Sequence, residues 1–405
     1  MKFSVVIPTR NRLEYLKMAI TTVQSQDYDN WEIVIADNNS SQDIQGYIFS
    51  LKEPRIVYTK SDHFISVTEN WNRAIDLASG EYIILIGDDD CLMQHSLSIL
   101  NGLCNQFSTP ELLFSNGLHY VYPGVFPWTP CGHLTTIGNW NLWDSEIPVL
   151  LKPNQLRQLV KESMNFRLRF SYNMQVLTIH KEFIRKLRVQ NKFFHSPYPD
   201  FYAMTMLFQT ATRAVACPYP LAIAGLSPKS YGGLFFNQQE SSGFNELNIK
   251  EETNAYPELD KYIFPGSKLN TCWLYALRCA QKNLGTAFDL KINFARYRKL
   301  QFVECLSVLI EKPKQGNNFR NLFQLLSVKE KFKYGPCLAY IWLAGKIFGE
   351  EFIRITPKKI LARIKRKLQI HPGHKNYTFQ KEYSSILEVF NEITPHECKK
   401  HFKTL

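Results

Sequence analysis

Apolar residues in the first hundred positions fall into short runs separated by stretches of helical period. Residues 3–7 are an apolar run stopped by Pro8, which reads as a buried strand. Over residues 12–26, Leu13, Leu16, Ala19, Ile20 and Val23 recur at helical spacing. Residues 31–36 read as a second strand, ending in Asp37-Asn38-Asn39-Ser40-Ser41, which is either a turn with Asx hydrogen bonding or a ligand-contacting loop. Residues 55–59 give a third strand, and 67–79 a helix with Gly80 as its stop. Residues 82–86, β-branched and aromatic, make a fourth strand. This alternation predicts an α/β fold: a mostly parallel sheet with helices on both faces.

The fourth strand ends abruptly at Gly87-Asp88-Asp89-Asp90. Three consecutive acids repel one another unless a cation or solvent absorbs the charge. Open α/β sheets bind ligands outside the carboxyl ends of their strands, where this cluster falls. Oxygen-rich sites of this kind suit Mg²⁺ or Mn²⁺, often shared with substrate phosphates. A solvated acidic turn is the alternative.

Further along, Tyr120, Tyr122, Phe126, Trp128, Trp140 and Trp143, with His133 among them, are either a platform for sugar rings or core. Pro199-Asp200-Phe201 places an acid at the start of an apolar helix, a favoured position for purely structural reasons as well. Residues 220–233 read as a strand leaving into a glycine-bearing loop, with Lys229 either a diphosphate contact or a solvated surface residue. Beyond residue 250 the chain turns helical, at 269–283, 293–310, 318–332 and 337–348. The last of these is apolar but short of the roughly 20 residues that span a bilayer. Arg354, Lys358, Lys359, Arg363, Lys365, Arg366 and Lys367 alternate with aliphatic residues, the composition of a helix on an anionic membrane surface or of one with a charged outer face.

With 405 residues, 45% of them hydrophobic, the chain can bury one large core or two moderate ones. Its net charge of +12 comes without zinc spacing, RNA-recognition signature or helix-turn-helix cue, so we expect no nucleic-acid partner. Nine cysteines without a Cys-x-x-Cys pair fit reduced thiols. Met1-Lys2-Phe3-Ser4 runs straight into a strand, so the expectation is no signal peptide and a cytoplasmic protein, peripheral on the inner face of the cell membrane.

Val5-Val6-Ile7-Pro8-Thr9-Arg10-Asn11-Arg12, Val34-Ile35-Ala36-Asp37-Asn38-Asn39-Ser40, Ala78-Ser79-Gly80-Glu81-Tyr82-Ile83 and Asp88-Asp89-Asp90 stand in an order and spacing that resembles family 2 glycosyltransferases of the GT-A fold. The resemblance is clear over residues 1–100 and thinner to about 230. It implies that Pro8, Thr9, Arg10 and Asp37 hold the base and ribose of a nucleoside-diphosphate sugar, a UDP-sugar in the first place. The family's metal motif, Asp-x-Asp-Asp, aligns here with Gly87 at the first acid. The resemblance therefore implies Asp88 as the ribose contact, Asp89 as the direct ligand of Mg²⁺ or Mn²⁺, and Asp90 as supporting it or holding the loop. An arginine common before the metal strand is replaced by Trp71, and Arg73 lies on another helical face.

Asp200 matches the family's catalytic base, which implies inverting transfer to a saccharide or lipid-linked acceptor. A helix N-terminus lowers a carboxylate's pKa, and burial by Tyr198, Phe201 and Tyr202 opposes this. The expected domains are a transfer domain at 1–240, divided at about 100 into donor and acceptor halves, and a helical, basic region at 250–405. A binding protein without chemistry stays open, as does a nucleotidyltransferase, although Pro8–Arg12 lacks the glycines of a phosphate loop.

Overall fold

The computed structural model describes residues 1–126, 130–137, 145–169, 172–237, 239–248, 256–311, 323–336, 339, 377–379, 381–398 and 402–404. Trp128, Trp140, Trp143, the 337–348 helix apart from residue 339, and the basic run 354–367 lie outside the described residues. The first half of the chain alternates as its periodicity requires: β1 (Phe3–Thr9), α1 (Leu13–Gln24), β2 (Trp31–Asp37), α2 (Ile44–Ser50), β3 (Ile56–Lys60), α3 (Val67–Leu77) and β4 (Tyr82–Leu85). These strands pair in parallel in the order β3-β2-β1-β4, with Val6 opposite both Val34 and Leu85. Parallel strands covered on both faces are mostly apolar, and β2 is buried throughout, with its interior acid Glu32 held by Lys2, Ser4 and Ser79.

The chain continues through β5 (Cys91–Leu92), α4 (Ser96–Gln106), β6 (Leu112–Val121), β7 (His133–Thr136), β8 (Val149–Leu151), α5 (Pro153–Met164), β9 (Leu177–His180), α6 (Lys181–Lys186), α7 (Pro199–Thr210) and β10 (Ala214–Leu226). β9 joins β4 to β6 by antiparallel pairing on both sides, and β10 runs parallel to β6. After these come α8 (Tyr231–Phe236), α9 (Glu240–Leu247), α10 (Lys268–Leu284), α11 (Phe294–Glu311), β11 (Tyr377–Phe379), α12 (Ile386–Glu392) and β12 (Phe402–Thr404). β7, β11 and β12 extend one edge by antiparallel pairs, giving a mixed sheet of twelve strands among the described residues. This is the expected α/β arrangement, with a mixed sheet: parallel pairs lie among the first four strands and between β6 and β10, and the other pairs among the described residues are antiparallel.

Alternation along β1 builds the two faces. Val6 joins a core with α3, α5, α7, α10 and α11, while Phe3, Val5 and Ile7 face α1, α2 and α4. α7 is apolar on nearly all sides because α5 and α10 sandwich it. A third cluster joins Cys91, Tyr120 and Tyr122 to Tyr383, Ile386 and Val389, so α12 returns to the first half of the chain. Tyr120 and Tyr122 are therefore core and not a sugar platform; Tyr122 stands edge-on to Tyr15 at 4.9 Å. Gly80 does not stop α3, which ends at Leu77 with Ala78 extended. Its missing side chain leaves room for β1: a Cβ there would lie 2.7 Å from Ser4 Oγ. Among the described residues no helix is long and apolar enough to cross a membrane.

Candidate functional site

Parallel strands carry their last residues to one sheet edge. Thr9 closes β1, Asp37 closes β2 in register with it, and Asp88, Asp89 and Asp90 follow β4. The three acids are only 3%, 5% and 2% exposed, so the solvated-turn reading is excluded. Asp88 accepts from Thr9 Oγ1 at 2.7 Å and from Arg12 Nη1 at 3.1 Å. Asp89 accepts from Ser227 Oγ at 2.5 Å and lies 3.9 Å from the same guanidinium. Burial pulls the Arg12 pKa down, but Asp88 and Asp89 more than offset this and the net shift is upward.

Asp90 faces elsewhere. Its carboxylate accepts from Gln175 Nε2 at 2.6 Å, from the Gly225 amide at 2.7 Å and from the Gly87 amide. Burial and the neighbouring Asp89 charge push its pKa up, against these donors. Glycine at 87 leaves room for this fold of the loop, since a Cβ would meet Asp90 Oδ2 at 2.9 Å. Gly225 is tighter still: a Cβ would fall 1.8 Å from the Asp89 carbonyl oxygen.

Asp37 is organised by neutral donors. Its Oδ1 accepts from the Ser40 amide and its Oδ2 from Tyr58 OH, both at 2.8 Å. Arg73 donates to the Asp37 carbonyl at 2.8 Å and to Asn70 and Thr59, so it braces the end of β2 from the α3 side. Trp71, in the place of the absent arginine, packs edge-on against Phe194 at 5.2 Å. Arg10 lies over the Phe64 ring at 3.8 Å and reaches Glu246 at 3.3 Å; its buried Nε has no hydrogen-bond partner. Pro8 stays in β1, opposite Ala36.

Asp200 occupies the first turn of α7, behind Pro199. Its Oδ1 accepts from the Phe201 amide at 2.8 Å, and among the described residues no cation pairs with it. Burial lifts its pKa to about 7, outweighing the backbone hydrogen bonds that lower it. Tyr172 stacks on Phe201 at 4.1 Å and Tyr198 meets Phe201 edge-on, so the carboxyl sits in an aromatic setting.

A short segment after β10 spans the two groups of acids. Ser227 holds Asp89, the Lys229 carbonyl accepts from Arg12, and the Tyr231 ring stands 5.7 Å from Tyr198, beside Asp200. A cavity of about 440 Å³ is lined by Phe64, Ser66, Glu69, Ser196 and Tyr256 among others; the acids at 88–90, Asp200 and segment 227–231 are not part of its lining. That volume lies in the roughly 300–1,000 Å³ range of small-molecule sites.

Residues 4–104 match the model of glycosyl transferase family 2. This segment belongs to that family. The chain is 37% identical over 134 residues to the putative colanic acid biosynthesis glycosyl transferase WcaA of Escherichia coli, covering 31% of this chain and 48% of that one. It is 36% identical over 108 residues to the GalNAc(5)-diNAcBac-PP-undecaprenol beta-1,3-glucosyltransferase of Campylobacter jejuni, covering 26% and 35%. The chain thus spans less than half the length of these two relatives. The crystal structure of Staphylococcus aureus TarS in complex with UDP-GlcNAc aligns over 91% of this chain and 93% of that one, at 12% identity and a TM-score of 0.47.

The donor set of this family 2 segment fits a hard divalent ion. Asp88 and Asp89 present carboxylate oxygens, and a guanidinium already stands against both. Among the described residues no three acidic, histidine or cysteine side chains converge, because Asp90 turns to Gly225 and Gln175. Sequence reasoning passed over Arg12, Gln175, Tyr58 and Ser227. Only Arg12 gave a signal, as the last residue of the first family motif; the others act from positions where polar residues are common.

Proposed function

We propose that the protein is an inverting glycosyltransferase that moves a sugar from a nucleoside diphosphate, UDP in the first place, to a hydroxyl of a saccharide or lipid-linked acceptor in surface polysaccharide or glycan synthesis. One observation carries this reading: segment 227–231 touches both the pair of acids that holds Arg12 and Tyr198, beside a carboxylate that has no paired cation among the described residues. Asp37, held by Ser40 and Tyr58 and braced by Arg73, receives the base N–H. Thr9 and Asp88, hydrogen-bonded to each other, contact the ribose in this reading, and Arg10 joins them from the same loop. Asp88 and Asp89 would hold Mg²⁺ or Mn²⁺, whose charge offsets that growing on the leaving nucleoside diphosphate. Asp90 keeps the loop folded and leaves ligation to its neighbours.

Asp200 takes the proton from the acceptor hydroxyl as that oxygen attacks the anomeric carbon. A carboxylate with a pKa of about 7 is suited to this, being both available and basic near neutrality. The carrier-linked acceptor in the name of the Campylobacter relative supports a lipid-linked substrate, and with it work at an anionic membrane surface. Residues 1–240 form the transfer unit in this reading, with α10 and α11 packed behind α7. The test is a panel of nucleotide sugars scored by thermal shift with and without Mn²⁺, followed by turnover. A donor at 100 times its Kd adds about 2.7 kcal/mol of stability. If no nucleotide sugar shifts the melting curve, the reading fails.

A further inference from the structure

Arg12 occupies the place a metal ion would need. Its Nη1 stands 3.1 Å from Asp88 Oδ1 and 3.9 Å from Asp89 Oδ2, and its Nη2 donates to the Lys229 carbonyl. The loop holds it there: Asn11 is at φ 56, and its Oδ1 accepts from the Ser41 amide at 2.7 Å and from Ser41 Oγ at 3.0 Å. Arg12 is also the residue on which α1 starts, its carbonyl accepting from Tyr15 and Leu16. Arg10, two residues earlier, turns instead to Phe64 and Glu246.

A divalent ion on the same oxygens would bring two positive charges against a guanidinium in a buried site. Like charges a few ångströms apart, away from bulk water, repel too strongly for both to stay. The guanidinium fork also matches phosphate oxygens in geometry and charge. Resting on the sugar-donor reading above, we propose that Arg12 is a resident counter-cation which a divalent ion displaces from Asp88 and Asp89, and which then binds the donor's diphosphate. Its departure frees the Lys229 carbonyl, so ion entry loosens the segment leading into α8. Arg12 thus couples loading of the site to the backbone that separates it from Asp200.

The experiment measures Mn²⁺ binding without nucleotide, by the EPR signal of free Mn²⁺, for the wild-type chain, Arg12→Gln and Arg10→Gln. Arg12→Gln binds Mn²⁺ about tenfold tighter or more, a modest share of the repulsion expected between such close charges. Arg10→Gln stays within about twofold of wild type, because its charge is paired elsewhere. With Mn²⁺ present, UDP binds Arg12→Gln about tenfold more weakly, as a lost charge-assisted phosphate contact requires. In the wild type, saturating Mn²⁺ alone speeds amide hydrogen exchange across residues 229–236, and this arm decides if Arg12→Gln does not fold. Equal Mn²⁺ affinity in the two variants, or unchanged exchange in that segment, overturns the proposal. The donor reading is scored separately by UDP binding to the wild type.

Discussion

The carboxylates after β4 and the carboxylate at the head of α7 are the same chemical group in opposite surroundings. Asp88, Asp89 and Asp90 share a guanidinium, two hydroxyls, an amide side chain and two backbone amides. Among the described residues Asp200 has backbone amides at the head of α7 and aromatic rings. Buried charge survives only where something answers it. Arg12 stands against Asp88 and Asp89, whereas Asp200 has no paired cation among the described residues and burial drives it toward holding a proton, as it does Asp90. The difference separates gripping an anionic donor through a cation from receiving a proton. A single buried acid cannot serve both ends.

The comparison breaks most sharply at Asp200. Asp200→Asn keeps size and loses basicity, so turnover should fall about 10²–10⁴-fold while UDP affinity measured by calorimetry stays within about twofold. Undiminished turnover would remove Asp200 as the base. At the other end, Asp89→Asn should weaken Mn²⁺ binding by roughly 10–100-fold or more, since even outer-shell partners of a metal cost that much. An unaltered Mn²⁺ titration would move the ligand role elsewhere.

Proton linkage does not by itself separate the two places, because burial raises the pKa of Asp88 and Asp90 as well as that of Asp200. Asp200 has a folded pKa of about 7 against an ordinary value of 3.8, so between those values the folded chain holds a proton that the unfolded chain releases. Its contribution to stability is therefore full below the ordinary value and is lost as pH rises through about 7. Activity runs the other way, because the base must be deprotonated. kcat/KM should rise about tenfold from pH 6 to a plateau above 7, one decade per unit below the pKa. A rate flat between pH 5 and 8 would mean that no buried carboxyl sets it.

Much of this was legible before any coordinates. Runs of Val and Ile with Pro, Asp or Gly at their ends mark β1, β2 and β4, because a strand covered on both faces reads as a nearly continuous apolar run, interrupted here by Ser4 and Glu32. The acids and Asp200 were visible for the same reason: charges next to apolar runs stand out. What stayed hidden was long-range. Nothing local in Gly225 reveals that the Asp89 carbonyl will pass where its Cβ would be, and nothing in Gln175 shows that it will hold Asp90. The β11–α12 return depends on Tyr383 and Ile386 meeting Tyr120 and Cys91 across most of the chain. Gly80 misled because a glycine after a helix fits a cap as readily as a close strand approach.

The smallest effect sharpens the comparison inside the cluster itself. Asp90 has the protein donors a metal ligand would have to forgo, two backbone amides and Gln175, and it anchors β10 through Gly225. Asp90→Asn preserves shape but turns one acceptor oxygen into an amide NH₂ facing donors already committed. Leaving such groups unsatisfied costs about 1–3 kcal/mol, visible as a lower denaturant midpoint with unchanged slope. Mn²⁺ affinity should meanwhile stay within about twofold, in contrast to Asp89→Asn. If the variant instead loses Mn²⁺ and keeps its stability, Asp90 is a ligand and the loop is held by something else. The carboxylates after β4 would then act as one metal-binding unit, and the division of labour between ligation at 88–89 and support at 90 would be withdrawn.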